Sequence, residues 1–445
     1  MARPLPLSGF PEWLPAGRIV EQSVLDSLRR TFELHGYTPI ATRAVEPLED
    51  LLRKGETSKE VYTLHRLHDD AEAASSRDRQ LALHFDLTVP LARYVLEHAG
   101  QLNFPFKRYQ IQPVWRGERP QDGRFREFIQ ADVDVIGAEE LPFHYEVELP
   151  LVMAEALDAL PIGPVHIGVN NRKVAEGFYR GIGLEDVDGV LRVIDKLDKI
   201  GPDAVTEVLI AEGASAAQAD SCLALAAIHG SDASVADRVR ALGVRSDLMD
   251  TGLEELVALL DGAAEQGSAA SVVADLKIAR GLDYYTGSVY ETTLVGHEQL
   301  GSICSGGRYD SLASDGVRTY PGVGLSIGVS RLLGRLLGAG LVTASRSVPS
   351  AVLVAVTREE ERGASNRVAR ALRARGIPTE VAPAAARFGR QIRHADRRGI
   401  PFVWFPASDD GVHQVKDIRS GVQVDADPDA WEPPAADLWP GVLRA

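Results

Sequence analysis

Residues 106–128 read FKRYQIQPVWRGERPQDGRFREF and gather Lys107, Arg108, Arg116, Arg119, Arg124 and Arg126, although the chain carries a formal net charge of −15. A guanidinium is a permanent cation whose planar fork matches phosphate, so such a cluster suits a nucleotide or a nucleic-acid end. Alternate residues of a strand share a face. Arg108, Gln110, Gln112 and Arg116 therefore share one parity, and Arg126, Phe128, Gln130, Asp132 and Asp134 share another. Tyr109, Ile111, Trp115, Ile129, Val133 and Val135 fall on the opposite, apolar side. Phe128 is the large apolar residue that interrupts the polar face, and a ring there can stack on a base. A carboxylate such as Asp134 can hold an ammonium group. The competing reading is a solvated sheet edge with scattered ion pairs.

Further stretches carry chemistry of the same kind. RGLDYYTG (280–287) sets Arg280, Tyr284 and Tyr285 before a glycine turn. Arg280 can neutralise charge that develops in phosphoryl chemistry, and the tyrosines can line a pocket for a ring. Equally, one tyrosine can be core and the other surface. CSGGRYD (304–310) brings two glycines, which permit close backbone approach, beside Arg308 and Tyr309, or forms a plain turn. GVGLSIGVSRLL (322–333) lacks the G-x-G-x-x-G spacing. Its glycines suit a strand packed under a ligand, with Arg331 at the helix start, or a tight strand–helix contact. HFDLTVP (84–90) puts Asp86 and Thr88 on one strand face, unless Thr88 is only an N-cap. Arg362 to Arg398 holds ten arginines against Glu380 and Asp396. That segment is a candidate second RNA contact, or a pair of ordinary exposed helix faces.

These residues need a scaffold. A length of 445 residues predicts two or three domains. The composition, 45% hydrophobic and 25% charged, is that of a soluble globular protein. No apolar run suggests a membrane span, and the start MARPLPLSGF predicts no signal peptide. Cys222 and Cys304 stand far apart, which favours a reducing compartment and disfavours a zinc site. The acidic balance suits the cytoplasm and leaves room for a local RNA-binding patch.

The periodicity predicts a helix over 17–36, with Val20, Val24, Leu28 and Phe32 inward and Gly36 as its stop. It predicts a strand over 81–89 with a helix opening at Pro90, two strands around the turn RPQDG, and a helix over 147–160. Residues 174–262 read as helical, with no strand after NNR. Strands return with KIARGLDYYTGSVYETTLV. Residues 338–350 read as a linker. Alternating strands and helices then predict a small α/β domain that ends in a hairpin around DIRSG.

The joint order of these stretches resembles the bacterial histidyl-tRNA synthetase family of class II aminoacyl-tRNA synthetases. GFPEWLP, HFDLTVPLARY, VWRGERPQDGRFREFIQADVDVIG, NNRKVAEGFYR, RGLDYYTG, CSGGRYD, GVGLSIGVSRLL and VKDIRSG carry the resemblance nearly end to end. It implies an α/β (α+β) fold: an antiparallel-sheet catalytic domain in two parts, 1–173 and 263–337. A helical insertion at 174–262, the linker 338–350 and an α/β anticodon-binding domain at 351–445 complete the chain. It implies ATP-dependent attachment of L-histidine to tRNA-His through a histidyl-adenylate, with Mg²⁺ on the ATP, no protein-only metal site, and a homodimer.

Carried over residue by residue, Arg116 and Arg280 become the catalytic cations. Arg116, Glu118, Arg124, Phe128, Arg280 and Arg331 become the ATP site. Asp86, Leu87, Thr88, Gln130 and Asp134 hold the backbone end of histidine, and Tyr284, Tyr285 and Tyr309 surround its imidazole. Arg119 and Gln121 approach the tRNA acceptor end. The chain departs from the family pattern at Arg43, where a proline is usual, at His84, where arginine is common, and at Ser330, where an acid is common. A regulatory subunit of histidine biosynthesis and a histidine-adenylating paralogue without a tRNA acceptor are the alternatives on the same fold.

Overall fold

The computed structural model describes residues 5–52, 60–67, 80–120, 123–265, 272–279, 281, 285–407 and 411–444. The chain divides into two compact units, Met1–Pro11 with Ser27–Arg335, and Glu12–Asp26 with Leu336–Ala445.

Among the described residues of the first unit, nine strands form one sheet. They are β1 (Thr38–Pro39), β2 (Phe106–Trp115), β3 (Glu127–Ile136), β4 (Val165–Asn171) and β5 (His229–Gly230). The later ones are β6 (Val272–Asp275), β7 (Ser288–Leu294), β8 (Cys304–Ser314) and β9 (Thr319–Gly328). Their order is β1-β2-β3-β9-β8-β7-β4-β6-β5. The run from β2 to β4 is antiparallel throughout. β1 joins β2 in parallel and β6 joins β4 in parallel, so the sheet is mixed around an antiparallel centre.

The odd-numbered face of that centre is apolar and closed. Val133, Val135, Val323, Leu325 and Ile327 are all buried. Each such side chain stabilises the fold by about 1.5–3 kcal/mol relative to exposure. Tyr109 stacks near Phe32, with ring centroids 5.8 Å apart, and its hydroxyl donates to Glu33 at 2.7 Å. The helix that supplies Phe32 and Glu33 runs Pro15–Leu34, and Gly36 just past its end has φ +77, the left-handed turn its position predicts.

Several expected boundaries shift. The strand predicted over 81–89 is only Leu81–Leu83, in a small sheet with Val45–Pro47 and Thr63–Leu64. The following helix starts at Thr88, not Pro90, and runs to His98. Proline is tolerated there because a first-turn residue needs no backbone donor. Asp86, not Thr88, supplies the capping oxygen, accepting from the Val89 N–H at 3.1 Å. The connection between β2 and β3 is longer than RPQDG, since β2 ends at Trp115 and β3 starts at Glu127, and it closes where the Arg116 N–H donates to the Arg126 carbonyl at 2.8 Å. The helix expected over 147–160 spans His144–Asp158.

Residues 172–265 hold helices Arg172–Gly181, Val187–Ile194, Leu197–Ala211, Ala216–Ala226, Ser234–Arg240 and Asp247–Glu265. They also hold β5, a two-residue strand that the sequence reading omitted, which lends an edge to the main sheet. Asn171 caps the first of these helices, its side chain accepting from the Lys173 N–H at 2.9 Å.

In the second unit, β10 (Val342–Ala344), β11 (Val352–Val354), β12 (Thr379–Val381), β13 (Phe402–Phe405), β14 (Gln414–Asp417), β15 (Gln423–Asp425) and β16 (Val442–Arg444) follow in order. Five of them form a sheet in the order β12-β11-β13-β14-β15. Helix Arg362–Ala374 packs Val368 and Leu372 on one face, beside Val352 and Trp404. Helix Phe388–Arg398 packs Ala395 on the other, beside Leu353 and Val403. Within residues 338–350, β10 pairs antiparallel with β16. Nearby, the buried Arg346 donates to the carbonyls of Val348, Pro349, Asp437 and Leu438 at 2.9–3.2 Å.

Candidate active site

Register builds the site. Arg108, Asp134, Gly324 and Gly307 lie side by side across β2, β3, β9 and β8. The next row is Gln110, Asp132, Ser326 and Ser305, and the third begins Gln112, Gln130 and Gly328. All of these residues share the even or small-residue face opposite the apolar core. That face is not a solvated edge: Arg108 and Gln110 are 0% exposed, and Gln130, Asp132 and Asp134 no more than 8%. Burying so many polar groups is costly unless they are paired or meet a ligand.

The first row is paired. Arg108 forms an ion pair with Asp134 at 2.5 Å, and the Tyr309 hydroxyl donates to the other oxygen of Asp134 at 2.7 Å. Glycine makes this possible. A Cβ on Gly324 would collide with the Asp134 carboxylate, and one on Gly322 would lie 2.6 Å from the Tyr309 ring. A Cβ on Gly307 would lie 2.8 Å from the Tyr285 ring. Gly307, Gly322 and Gly324 thus serve close packing by the site's own side chains, while Gly306 lets its strand lie against the Gly324 carbonyl.

In the second and third rows, Gln130 donates to Ser326 at 2.8 Å. Gln110 donates to the Thr42 hydroxyl at 2.8 Å, and Gln112 exchanges two bonds with the Thr42 backbone at 3.0 and 3.1 Å. The segment ATRAVEP is thereby tied to the hairpin. Burial, reinforced by the charges of Asp134 and Asp86, pushes the Asp132 carboxyl up to about 7 despite the opposing pull of Arg108. Burial first, and then the carboxylates of Asp134, Asp86 and Asp132, raise the Tyr285 phenol.

Two spaces open on this face. A cleft of about 370 Å³ is lined by Arg116, Glu118, Arg124, Phe128, Gln130 and Arg331, with Glu60, Ser302 and Cys304 among its other walls. A recess of about 20 Å³ is lined by Thr88, Asp132, Asp134, Tyr285, Tyr309 and Ser326. Ser305 and Ser326 line both, so the two spaces adjoin. The cleft falls in the size range of small-molecule sites.

The structure therefore brings together most of the residues singled out in the sequence. Arg116 is held by a bond from its Nε to the Phe85 carbonyl at 3.0 Å, and its guanidinium carbon lies 5.1 Å from the Phe128 ring centroid. Arg124 pairs with Glu118 at 3.3 Å. Arg331 donates to the carbonyls of Ser302, at 2.8 Å, and Leu300. Arg119 is exposed in the loop. Leu87 is fully buried, so only its main chain is available to a ligand. Arg280, Tyr284 and Gln121 lie outside the described residues.

Other cations have local partners. Lys107 pairs with Glu148 at 2.5 Å, and Arg126 donates to the Glu118 carbonyl at 3.3 Å. Arg308 is anchored to Glu146 at 2.8 Å and Asp310 at 3.0 Å. The three departures are each accommodated. Arg43 pairs with the buried Glu46 at 3.0 Å, the buried His84 bonds the Pro113 carbonyl at 2.8 Å, and Ser330 accepts from the Ile129 N–H at 2.9 Å.

Sequence reasoning placed Asp132 on the polar face but gave it no role, and it missed Ser305 and Ser326. Their signal was parity with Asp134, Gly307 and Gly324.

Comparison with known proteins agrees along the whole length. The family model described as histidyl-tRNA synthetase matches residues 9–332, and the one described as anticodon binding domain matches residues 350–430. The chain is similar to a histidine–tRNA ligase of Micrococcus luteus, at 62% identity over all of both chains. It is 58% identical to one of Cutibacterium acnes, over 100% of this chain and 99% of the relative. The crystal structure of histidyl-tRNA synthetase from Nostoc sp. superposes with a TM-score of 0.86 at 38% identity, covering 96% of this chain and 98% of that one.

Proposed function

The chain belongs to the histidyl-tRNA synthetase family, and on that premise we infer that it joins L-histidine to tRNA-His through a histidyl-adenylate, releasing pyrophosphate and then AMP. The observation that carries this reading is the buried polar floor with its adjoining cleft and recess, which offers cations to a nucleotide and carboxylates to an amino acid. Full-length likeness to histidine–tRNA ligases does not favour a regulatory subunit or an adenylating enzyme without a tRNA acceptor.

The histidine carboxylate attacks the α-phosphorus of ATP in line, and pyrophosphate leaves. A terminal ribose hydroxyl of the tRNA then attacks the adenylate and displaces AMP. Neither step needs a protein nucleophile, so positioned charge supplies the rate. Arg116, already fixed by Phe85 and Phe128, faces the α-phosphate, and Arg280 is its partner in neutralising that group. Phe128 stacks on adenine, with Arg331 across the nucleotide and Arg124 and Glu118 at the triphosphate. Mg²⁺ enters with ATP, liganded mainly by phosphate oxygens. Glu60 and Glu118 are hard-oxygen donors in the cleft wall that suit it.

Asp86, the Leu87 main chain, Thr88, Gln130 and Asp134 hold the amino end of histidine. Tyr284, Tyr285 and Tyr309 enclose its ring. Arg119 and Gln121 meet the acceptor end, and the exposure of Arg119 supports this. The segment 351–445 contacts the anticodon arm, with exposed Arg390, Arg393 and Arg397 along one face of helix Phe388–Arg398. The protein works as a cytoplasmic homodimer. Exposed Leu64, Leu67 and Leu81 beside the ATRAVEP segment support self-association there. No described helix is long and apolar enough to cross a membrane.

The test is histidine-dependent ATP–pyrophosphate exchange, followed by charging of tRNA-His. Exchange with histidine alone among the amino acids, and then acylated tRNA, is the expected result. Absence of exchange rejects the enzyme reading, and exchange without charging rejects the tRNA acceptor.

A further inference from the structure

Arg280 stands in the chain between Ala279 and Gly281, and both neighbours are among the described residues. What fixes those neighbours decides where the residue between them can reach. On the far side, Gly281 has φ +72, and a Cβ on it would lie 2.7 Å from the Tyr285 ring. The Tyr285 N–H donates to the Gly281 carbonyl at 3.0 Å, and Tyr285 lines the recess beside Asp134. On the near side, β6 ends at Asp275, and the chain turns where the Ile278 N–H donates to the Asp275 carbonyl at 3.2 Å. Leu276, Ile278 and Ala279 are no more than 7% exposed, so the carbonyls of this turn need partners within the protein.

One side chain serves two of them. Asn170 on β4 is 2% exposed, and its amide donates to the Ile278 carbonyl at 2.8 Å and to the Leu276 carbonyl at 3.4 Å. The Asn171 N–H donates to Asn170 Oδ1 at 2.7 Å, which fixes the orientation of the amide. A side-chain amide carries two N–H donors, and here both go to the turn. Two residues earlier on β4, Gly168 leaves room for the same turn, since a Cβ there would lie 2.7 Å from Ile278 Cδ1. The outer side of the turn is tied by Lys277 to Asp198 at 3.2 Å, between side chains 40% and 72% exposed. A pair so open to solvent contributes little beside two buried hydrogen bonds.

We propose that Asn170 is a positioning residue for adenylate formation: it holds the turn 276–278 and thereby sets where the chain enters Arg280. This rests on the reading that Arg280 neutralises the α-phosphate. Asn170 lines neither the cleft nor the recess, so it acts through the main chain and not on a substrate. A displacement of about 1 Å in a group that meets the reacting atoms can cost about 100-fold in rate, so loss of this hold falls on the chemical step. Binding is spared, because Arg116 is held by Phe85 and Asp134 by Arg108 and Tyr309.

Single-turnover adenylate formation, exchange kinetics and histidine calorimetry test this on wild type, Asn170→Leu, Arg280→Ala and the double variant. Asn170→Leu keeps the volume and removes both donors. It is expected to slow adenylate formation about 10- to 100-fold. KM for histidine and ATP, and the calorimetric affinity for histidine, are expected to stay near wild type. In the Arg280→Ala background the same substitution is expected to cost less than about twofold, because its effect passes through the guanidinium. An adenylation rate near wild type, or a rise in KM that accounts for the loss, overturns the proposal. Equal losses with and without Arg280 assign Asn170 to the fold at large and also overturn it. Should the leucine variant not fold, Asn170→Ser, which keeps one hydroxyl donor, carries the same cycle with a smaller loss, and its melting transition checks the fold. Arg280→Ala at the wild-type rate removes the residue through which Asn170 acts and overturns both roles. Wild type that forms no adenylate rejects the functional reading as well, whereas active wild type matched by the Asn170 variants rejects only this role.

Discussion

Asp132 and Asp134 stand two residues apart on β3 and are held differently: Arg108 and Tyr309 take both oxygens of Asp134, while Asp132 lies buried against Ser326. Alternation put both on the polar face, and the resemblance gave Asp134 a ligand. The burial of that face was not legible, because parity says which residues share a side and not whether the side meets water. Nor was the engagement of Asp134 by Arg108 and Tyr309, since Tyr309 arrives from a strand far along the chain. The burial of Asp132 has a cost that can be measured. Its carboxyl is raised from 3.8 to about 7 in the folded protein, so the folded state binds more protons than the unfolded one between those values. The stability of the empty protein therefore falls as pH climbs from about 4 to about 7, and this contribution is flat above that. Asparagine cannot ionise. The melting temperature of Asp132→Asn relative to wild type should accordingly be higher at pH 8 than at pH 5. An equal difference at both values would show that the carboxyl is not desolvated.

At the scale of elements, long periodic segments were read well and their ends were not. The helix after HFDLTVP begins two residues before the proline that marked it, because Asp86 caps it from outside. The hairpin loop is wider than RPQDG, because the chain near Gly9 accepts the Arg126 N–H at 2.7 Å and pulls the strand end away. β5 was invisible, since two residues carry no period. Ser330 shows how elements are joined. Its hydroxyl, on the helix that delivers Arg331, accepts a backbone N–H of the strand that carries Phe128. Ser330→Ala leaves that N–H without its partner and should cost about 1–2 kcal/mol in urea unfolding, whereas Ser330→Thr, which keeps the hydroxyl, should cost less. Equal stability of the alanine variant would mean water replaces the bond without loss.

At the scale of the whole molecule, fixed cations are concentrated against an acidic background. In the second unit, Arg375 and Arg398 are consumed by the fold, Arg375 bonding the Trp431 carbonyl at 2.6 Å and Arg398 pairing with Glu380. Arg390, Arg393 and Arg397 remain exposed on one helix face. Composition could count these arginines but not sort them, because the sorting depends on which carbonyls the fold leaves within reach. Replacing Arg390, Arg393 and Arg397 together with glutamine should raise KM for tRNA and reduce the salt dependence of tRNA binding by about 2–3 in log–log slope. Histidine-dependent exchange without tRNA should stay at the wild-type rate. A change in exchange without tRNA would place these residues in the amino-acid reaction instead.

The cradle of Gly307, Gly322 and Gly324 has a consequence for chemical intervention. The walls it frees for Asp134, Tyr285 and Tyr309 are shaped partly by backbone, and a point mutation can add atoms to a glycine but cannot remove any. A substitution there meets this protein's own carboxylate, ring or main-chain carbonyl before it meets a foreign molecule. An inhibitor seated against that stretch of main chain would leave drug resistance few routes that do not first disable the pocket.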